Sequence, residues 1–87
     1  MILYAAILNM VDGPMDEMLL DEHKAYLQQL IDAGSIFAKG PFTDHSGGLV
    51  LYKADSYEEA MAMASQDPAI VKGSRTLTLK EWRSNLD

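Results

Sequence analysis

The stretch Phe37–Tyr52, FAKGPFTDHSGGLVLY, constrains this chain more than any other. The runs Phe37–Phe42 and Gly48–Lys53 are rich in aromatic and branched residues. Between them stand Thr43, Asp44, His45, Ser46 and Gly47, residues that favour turns. A connection this short joins only antiparallel strands. One helical pattern precedes the hairpin and another follows it, which predicts a single sheet covered on one face.

The flanking segments complete the pattern. Ile2–Met10, ILYAAILNM, is almost continuously apolar, as expected of a central strand buried on both faces, and Asp12, Gly13 and Pro14 close it. A helix starts between Pro14 and Glu17. Leu20, His23, Leu27, Leu30 and Ile31 fall on one stripe of that helix, and Gly34 ends it. Ser56-Tyr57-Glu58-Glu59 has the S-x-x-E form of a capping box, opening a second helix that runs to about Gln66. Pro68 excludes helical geometry at Asp67 and suits the first position of a further short turn, which Gly73 ends. Arg75–Trp82, RTLTLKEW, alternates as the last strand.

The order β-α-β-β-α-β predicts an α+β, ferredoxin-like fold in one domain over residues 1–87: a four-stranded antiparallel sheet in the order 4-1-3-2, with two long helices on one face. Leu3, Ala5, Ile7, Leu27, Leu30, Ile31, Leu49, Leu51, Ala60, Ala64, Leu77 and Leu79 are the expected apolar contributors, divided between the two sheet faces. Two helices cover only one of those faces. The other would expose an apolar patch, so a homodimer formed sheet to sheet is expected.

Charge and composition exclude several classes. Thirteen acidic residues against seven basic ones give a formal charge of −6, which argues against nucleic acid as a partner. The apolar runs fall short of a membrane span. With no cysteine, disulfides and thiolate metal sites are absent. Met1 leads into an apolar strand without a basic segment, so no signal peptide is expected, and a cytoplasmic location fits.

His23 is the most informative side chain, because it lies on the apolar stripe and not on a charged face. It is either a core histidine bonded to a backbone carbonyl or a general acid or base that needs an orienting partner. Asp67 is placed to cap the turn that Pro68 begins. A carboxylate has acceptor sites to spare, so Asp67 could also hold an imidazole, as in hydrolase triads. Gly40-Pro41 sits inside a strand and points to an edge position or a bulge, which could aim Phe42 or Lys39 at a cavity. Tyr4, Gly40, Pro41, Phe42 and Leu49 are the expected ligand-binding residues. His45 beside Asp44 makes a poor metal site, and none is expected. Gly47-Gly48 lacks the following helix of a phosphate-binding loop, and no cofactor motif is visible.

These features together resemble the YCII-related (YciI-like) family: His23 with Tyr26-Leu27, Gly34, Gly40-Pro41, Gly47-Gly48, Ser56-x-x-Glu59-Ala60, Asp67-Pro68, and Trp82 in the closing strand. The resemblance implies a dimeric ferredoxin-like fold akin to the muconolactone isomerase-like α/β barrels. It also implies a His–Asp catalytic dyad on His23 and Asp67; one characterised relative is a dehydrochlorinase. Two departures stand out. Arginine is common in the turn before the histidine, where this chain has Met18-Leu19-Leu20-Asp21, which weakens any transfer of an anionic substrate. Proline often precedes the final Trp, where this chain has Glu81. Two functions are compatible with all this. One is a cofactor-independent isomerase or lyase moving a proton on a small cyclic or quinone-like compound. The other is a non-catalytic small-ligand-binding or interaction module.

Overall fold

Continuous apolarity makes β1 (Ile2–Met10) the strand with neighbours on both sides. In the computed structural model, which describes residues 1–87, β1 is followed by α1 (Glu17–Asp32), β2 (Ile36–Pro41), β3 (Gly47–Tyr52), α2 (Tyr57–Ser65), α3 (Pro68–Val71) and β4 (Arg75–Arg83). The strands form one antiparallel sheet in the order β2-β3-β1-β4, the ferredoxin-like α+β arrangement. No helix is long and apolar enough to cross a membrane.

Local chemistry sets the helix ends. Asp16 Oδ1 accepts from the Leu19 amide at 2.8 Å and caps α1. At its other end Gly34 takes φ 79°. The Ser35 amide reaches the Leu30 carbonyl at 2.8 Å and the Gly34 amide reaches Ile31 at 3.0 Å, a Schellman closure. Ser56 Oγ accepts from the Glu59 amide at 3.1 Å, so the forward half of the expected capping box forms. The reciprocal bond from the Glu59 carboxylate does not.

The core settles which strand phase faces the helices. Tyr4, Ala6 and Leu8 pair with Tyr52, Val50 and Gly48 across β1 and β3, and they pack with Leu27, Ile36, Ala60, Ala64, Ala69 and Leu79. Leu3, Ala5, Ile7, Leu49 and Leu51 alternate onto the opposite face. An apolar run on both sides of the pleat does not by itself say which phase meets the helices; the small residues of α2, Ala60 and Ala64, come down on the even phase of β1.

The irregularity in β2 lies at Phe37, not at Gly40-Pro41 as the sequence suggested. The register shifts between Ile36 and Ala38, whereas Gly40 and Pro41 stay opposite Leu49 and Gly48. β2 is an edge strand with a partner on one side only, so a proline there leaves the ladder intact. The close approach explains the glycines instead. A Cβ on Gly48 would come within 3.0 Å of the Gly40 carbonyl oxygen, and one on Gly47, at φ 143°, within 1.8 Å of the Leu8 carbonyl oxygen.

Candidate active site

Three elements bring His23 and Asp67 together. His23 projects from the middle of α1. Asp67 stands at the junction where Pro68 forces the chain out of α2 and into α3. There Asp67 takes φ −56° and ψ 127°, and its Oδ1 accepts from the Ala69 amide at 2.9 Å. The same Oδ1 is 2.7 Å from His23 Nδ1. Asp67 is only 1% exposed and the His23 side chain 15%.

This geometry determines the tautomer. An ionised carboxylate only accepts, so Nδ1 carries the hydrogen and donates it to Asp67. Nε2, which forms no hydrogen bond with the protein, keeps a free lone pair when the ring is neutral. The second carboxylate oxygen, Oδ2, is buried and has no donor. Buried carboxylate oxygens normally find one.

Two tyrosines feel this carboxylate. Tyr52 is 1% exposed; burial pushes its hydroxyl well above the ordinary phenol range, with the Asp67 charge and Tyr26 adding to the shift. Tyr26 is raised for the same reasons, burial first and Asp67 second, and its hydroxyl donates to the Met63 carbonyl at 2.6 Å. That bond ties α1 to α2 three residues beyond His23.

His23 opens on a cleft of about 250 Å³ between α1, the β2–β3 hairpin and the start of β4. Leu8, Met15, Leu20, Leu27 and Val50 give it apolar walls, Leu49 borders it from the hairpin, and Gly40, Pro41, Gly47 and Gly48 form a rim without bulky side chains. Of the residues expected from sequence to contact a ligand, Gly40, Pro41 and Leu49 border this cleft with His23. Tyr4 does not: it is buried in the core, edge-on to Tyr57 with ring centroids 6.3 Å apart. Phe42 does not either. It borders a separate shallow depression with Ala38 and Leu51, because alternation along β2 puts Phe42 on the face opposite Lys39 and Pro41.

Sequence reasoning missed Lys24 and Arg75, both of which line the cleft, and it placed Lys39 there only through a bulge that lies elsewhere. A signal for Arg75 was present. It is in phase with Leu77 and Leu79 along β4, so it points to the helix-covered side. His45 takes φ 64° in the β2–β3 loop. Asp44 Oδ1 there accepts from the Ser46 hydroxyl at 2.6 Å and the Ser46 amide at 3.0 Å.

The model of the YCII-related domain matches residues 2–83. The uncharacterized protein YjpA of Bacillus subtilis (strain 168) is 39% identical over 61 residues, covering 70% of this chain and 72% of that protein. Among solved structures, the 5-chloro-2-hydroxyhydroquinone dehydrochlorinase of Burkholderia phenoliruptrix AC1100, in complex with 2,5-dihydroxybenzoquinone, superposes with a TM-score of 0.71. It is 20% identical in sequence, with 93% of each chain covered; at that identity the likeness is one of fold.

Proposed function

The chain belongs to the YCII-related family, and on that premise we propose that it is a cofactor-independent enzyme in which His23 moves a proton on a small cyclic or quinone-like compound. The observation that carries this reading is the 2.7 Å bond from His23 Nδ1 to an almost fully buried Asp67, beside a cleft that His23 lines. Asp67 fixes the ring so that Nε2 is the free base, and it stabilises the imidazolium that forms. The donor-free Oδ2 supports the same reading: a buried acceptor left unpaired costs about 1–3 kcal/mol, and a positive charge on the adjacent ring offsets that cost.

In the proposed step Nε2 takes a proton from a C–H or O–H conjugated with a carbonyl. The released electron pair moves into the conjugated system. It then either accepts the proton back from the imidazolium at another atom, an isomerisation, or expels a leaving group such as halide, an elimination. The dehydrochlorinase of the same fold makes elimination the first reaction to try.

The cleft lies on the helix-covered side of the sheet, which leaves the other face for a second copy of the chain. Ala5, Ile7, Leu49 and Leu51 face that way, with Trp82 44% and Phe37 45% exposed. A sheet-to-sheet homodimer in a cytoplasmic setting belongs to the same proposal, and Trp82→Asp should convert it to a monomer in sedimentation.

The test of the chemistry is turnover of 5-chloro-2-hydroxyhydroquinone, followed by chloride release across pH. The proposal expects a bell-shaped profile that collapses by about 10²–10⁴-fold in His23→Ala. Equal rates for the two proteins would remove the catalytic role of His23 and favour a binding module.

A further inference from the structure

The lining of the cleft is at odds with the charge of the whole chain. Of seven basic and thirteen acidic residues, Lys24, Lys39 and Arg75 line this one cleft and no carboxylate does. A random draw from so acidic a chain would give the opposite balance. None of the three forms an ion pair; those present are His23–Asp67 and Lys72–Glu22.

Arg75 is the most telling of the three. It is only 8% exposed, yet its charge is permanent. Nη1 makes every bond it has: to the Gly13 carbonyl at 3.1 Å, the Ser74 carbonyl at 2.9 Å and Ser74 Oγ at 3.0 Å. Nη2 and Nε have no protein acceptor. A guanidinium has five N–H donors in a rigid fork shaped for two oxygens of one anion. Clamping Nη1 to the β1–α1 loop and to Ser74 holds the rest of that fork in place at the edge of the cleft. Burying a charge without a partner is costly, and an oxyanion in the cleft is the partner the geometry lacks.

We infer that Arg75, with Lys39 and Lys24, is an anion receptor, and that the compound acted on beside His23 is a small organic oxyanion, a carboxylate or phenolate on a compact apolar body. The inference rests on the proposed site at His23 and specifies its substrate class. Size and lining fit: about 250 Å³ lies just below the usual range of small-molecule sites, room for one substituted ring. Leu8, Leu20, Leu27 and Val50 take the ring, and the cations take the charge. Lys24 comes from α1, Lys39 from β2 and Arg75 from β4, so three elements bring cations to the cleft on which His23 opens.

The experiment is an NMR titration of the full chain with benzoate and with benzamide, its uncharged isostere, read at the His23 ring and the Arg75 side chain. Benzoate should bind at least about tenfold more tightly than benzamide, the equivalent of one charge-assisted hydrogen bond. Arg75→Gln and Lys39→Gln should each remove most of that preference while leaving benzamide unaffected, and Arg75→Lys should keep part of it. Lys39 is exposed on an edge strand, so its variant keeps the test valid even if losing the Gly13 clamp unfolds Arg75→Gln. Equal binding of the two probes, no binding of either, or a preference for benzoate that survives both variants would overturn the receptor. A preference that persists in His23→Ala, alongside unchanged turnover in that variant, would instead overturn the dyad and leave the receptor standing.

Discussion

Replacing Asp67 by Asn keeps the shape of the side chain and so separates its charge from its geometry. Oδ1 of Asp67 has two tasks, capping α3 through the Ala69 amide at 2.9 Å and holding His23 Nδ1 at 2.7 Å. In Asp67→Asn the amide oxygen must stay in that position, because the Ala69 N–H needs an acceptor, and Asn caps a helix about as well as Asp. Two costs remain. The bond to His23 loses its charge assistance, about 1–1.5 kcal/mol. The amide NH₂ then occupies the Oδ2 position, which is buried and makes no hydrogen bond, and leaving it without an acceptor costs about 1–3 kcal/mol. Together these are about 2–4.5 kcal/mol. Asp67→Ala loses a cap worth about 0.5–2 kcal/mol and leaves Nδ1 of a partly exposed ring to find water, but it also removes the donor-free oxygen. The conservative change should therefore destabilise at least as much as the truncation. Urea denaturation of the three proteins measures this, and ¹⁵N shifts of the His23 ring report its tautomer. A stability for Asp67→Asn within about 0.5 kcal/mol of the parent would refute the reasoning, since the Oδ2 position would then accept an N–H₂ group as readily as an oxygen.

Other expectations follow from the same geometry. Gly47→Ala should cost at least about 2–3 kcal/mol in the same denaturation assay, because φ 143° and a Cβ 1.8 Å from the Leu8 carbonyl leave no relaxed conformation; a loss under about 1 kcal/mol would show that the hairpin can shift. Leu27→Ala, at a position 1% exposed, should cost about 2–5 kcal/mol and leave a molecule of this size close to unfolding in scanning calorimetry. The neutral phenols of Tyr26 and Tyr52 are favoured in the folded state. Their contribution to stability is complete below the ordinary tyrosine pKa of about 10 and is lost as pH rises above it. Alkaline unfolding should then coincide with their ionisation in ultraviolet difference spectra, and Tyr52→Phe should weaken that pH dependence; ionisation of every tyrosine near the ordinary value in a folded chain would contradict it.

The fold was legible because its signals are local. Gly34, Ser56, Pro68 and Gly73 each act within one turn of where they stand, and the short loop between β2 and β3 admits a single topology. The phase of β1 was not legible, since a strand apolar on both sides carries no period-two signal, and only the seating of Ala60 and Ala64 selects Tyr4, Ala6 and Leu8. The pairing of His23 with Asp67 was readable as residue types, but a sequence separation of 44 hides the contact until both helices lie on the sheet. Arg75 went unnoticed for a different reason. A charged residue at the start of an alternating strand reads as a solvated end, and its phase with Leu77 and Leu79 acquires meaning only once β4 is seen beside β1.

The two halves of the site are therefore held by the chain in different ways. One oxygen of Asp67 both caps α3 and orients His23, so the dyad cannot be moved without undoing a helix start and a buried contact together. A cation at the cleft is under no such constraint, because charge acts over several ångströms and any element bordering the cavity can supply it. The family pattern that this chain resembles commonly has an arginine in the turn before the histidine; here that turn places Leu20 against the cleft, while β4 contributes Arg75 and β2 contributes Lys39. Dyad geometry is fixed by hydrogen bonds that fail within a fraction of an ångström. The charge around it is fixed only in sum, so it can be drawn from a different strand without disturbing His23 or Asp67.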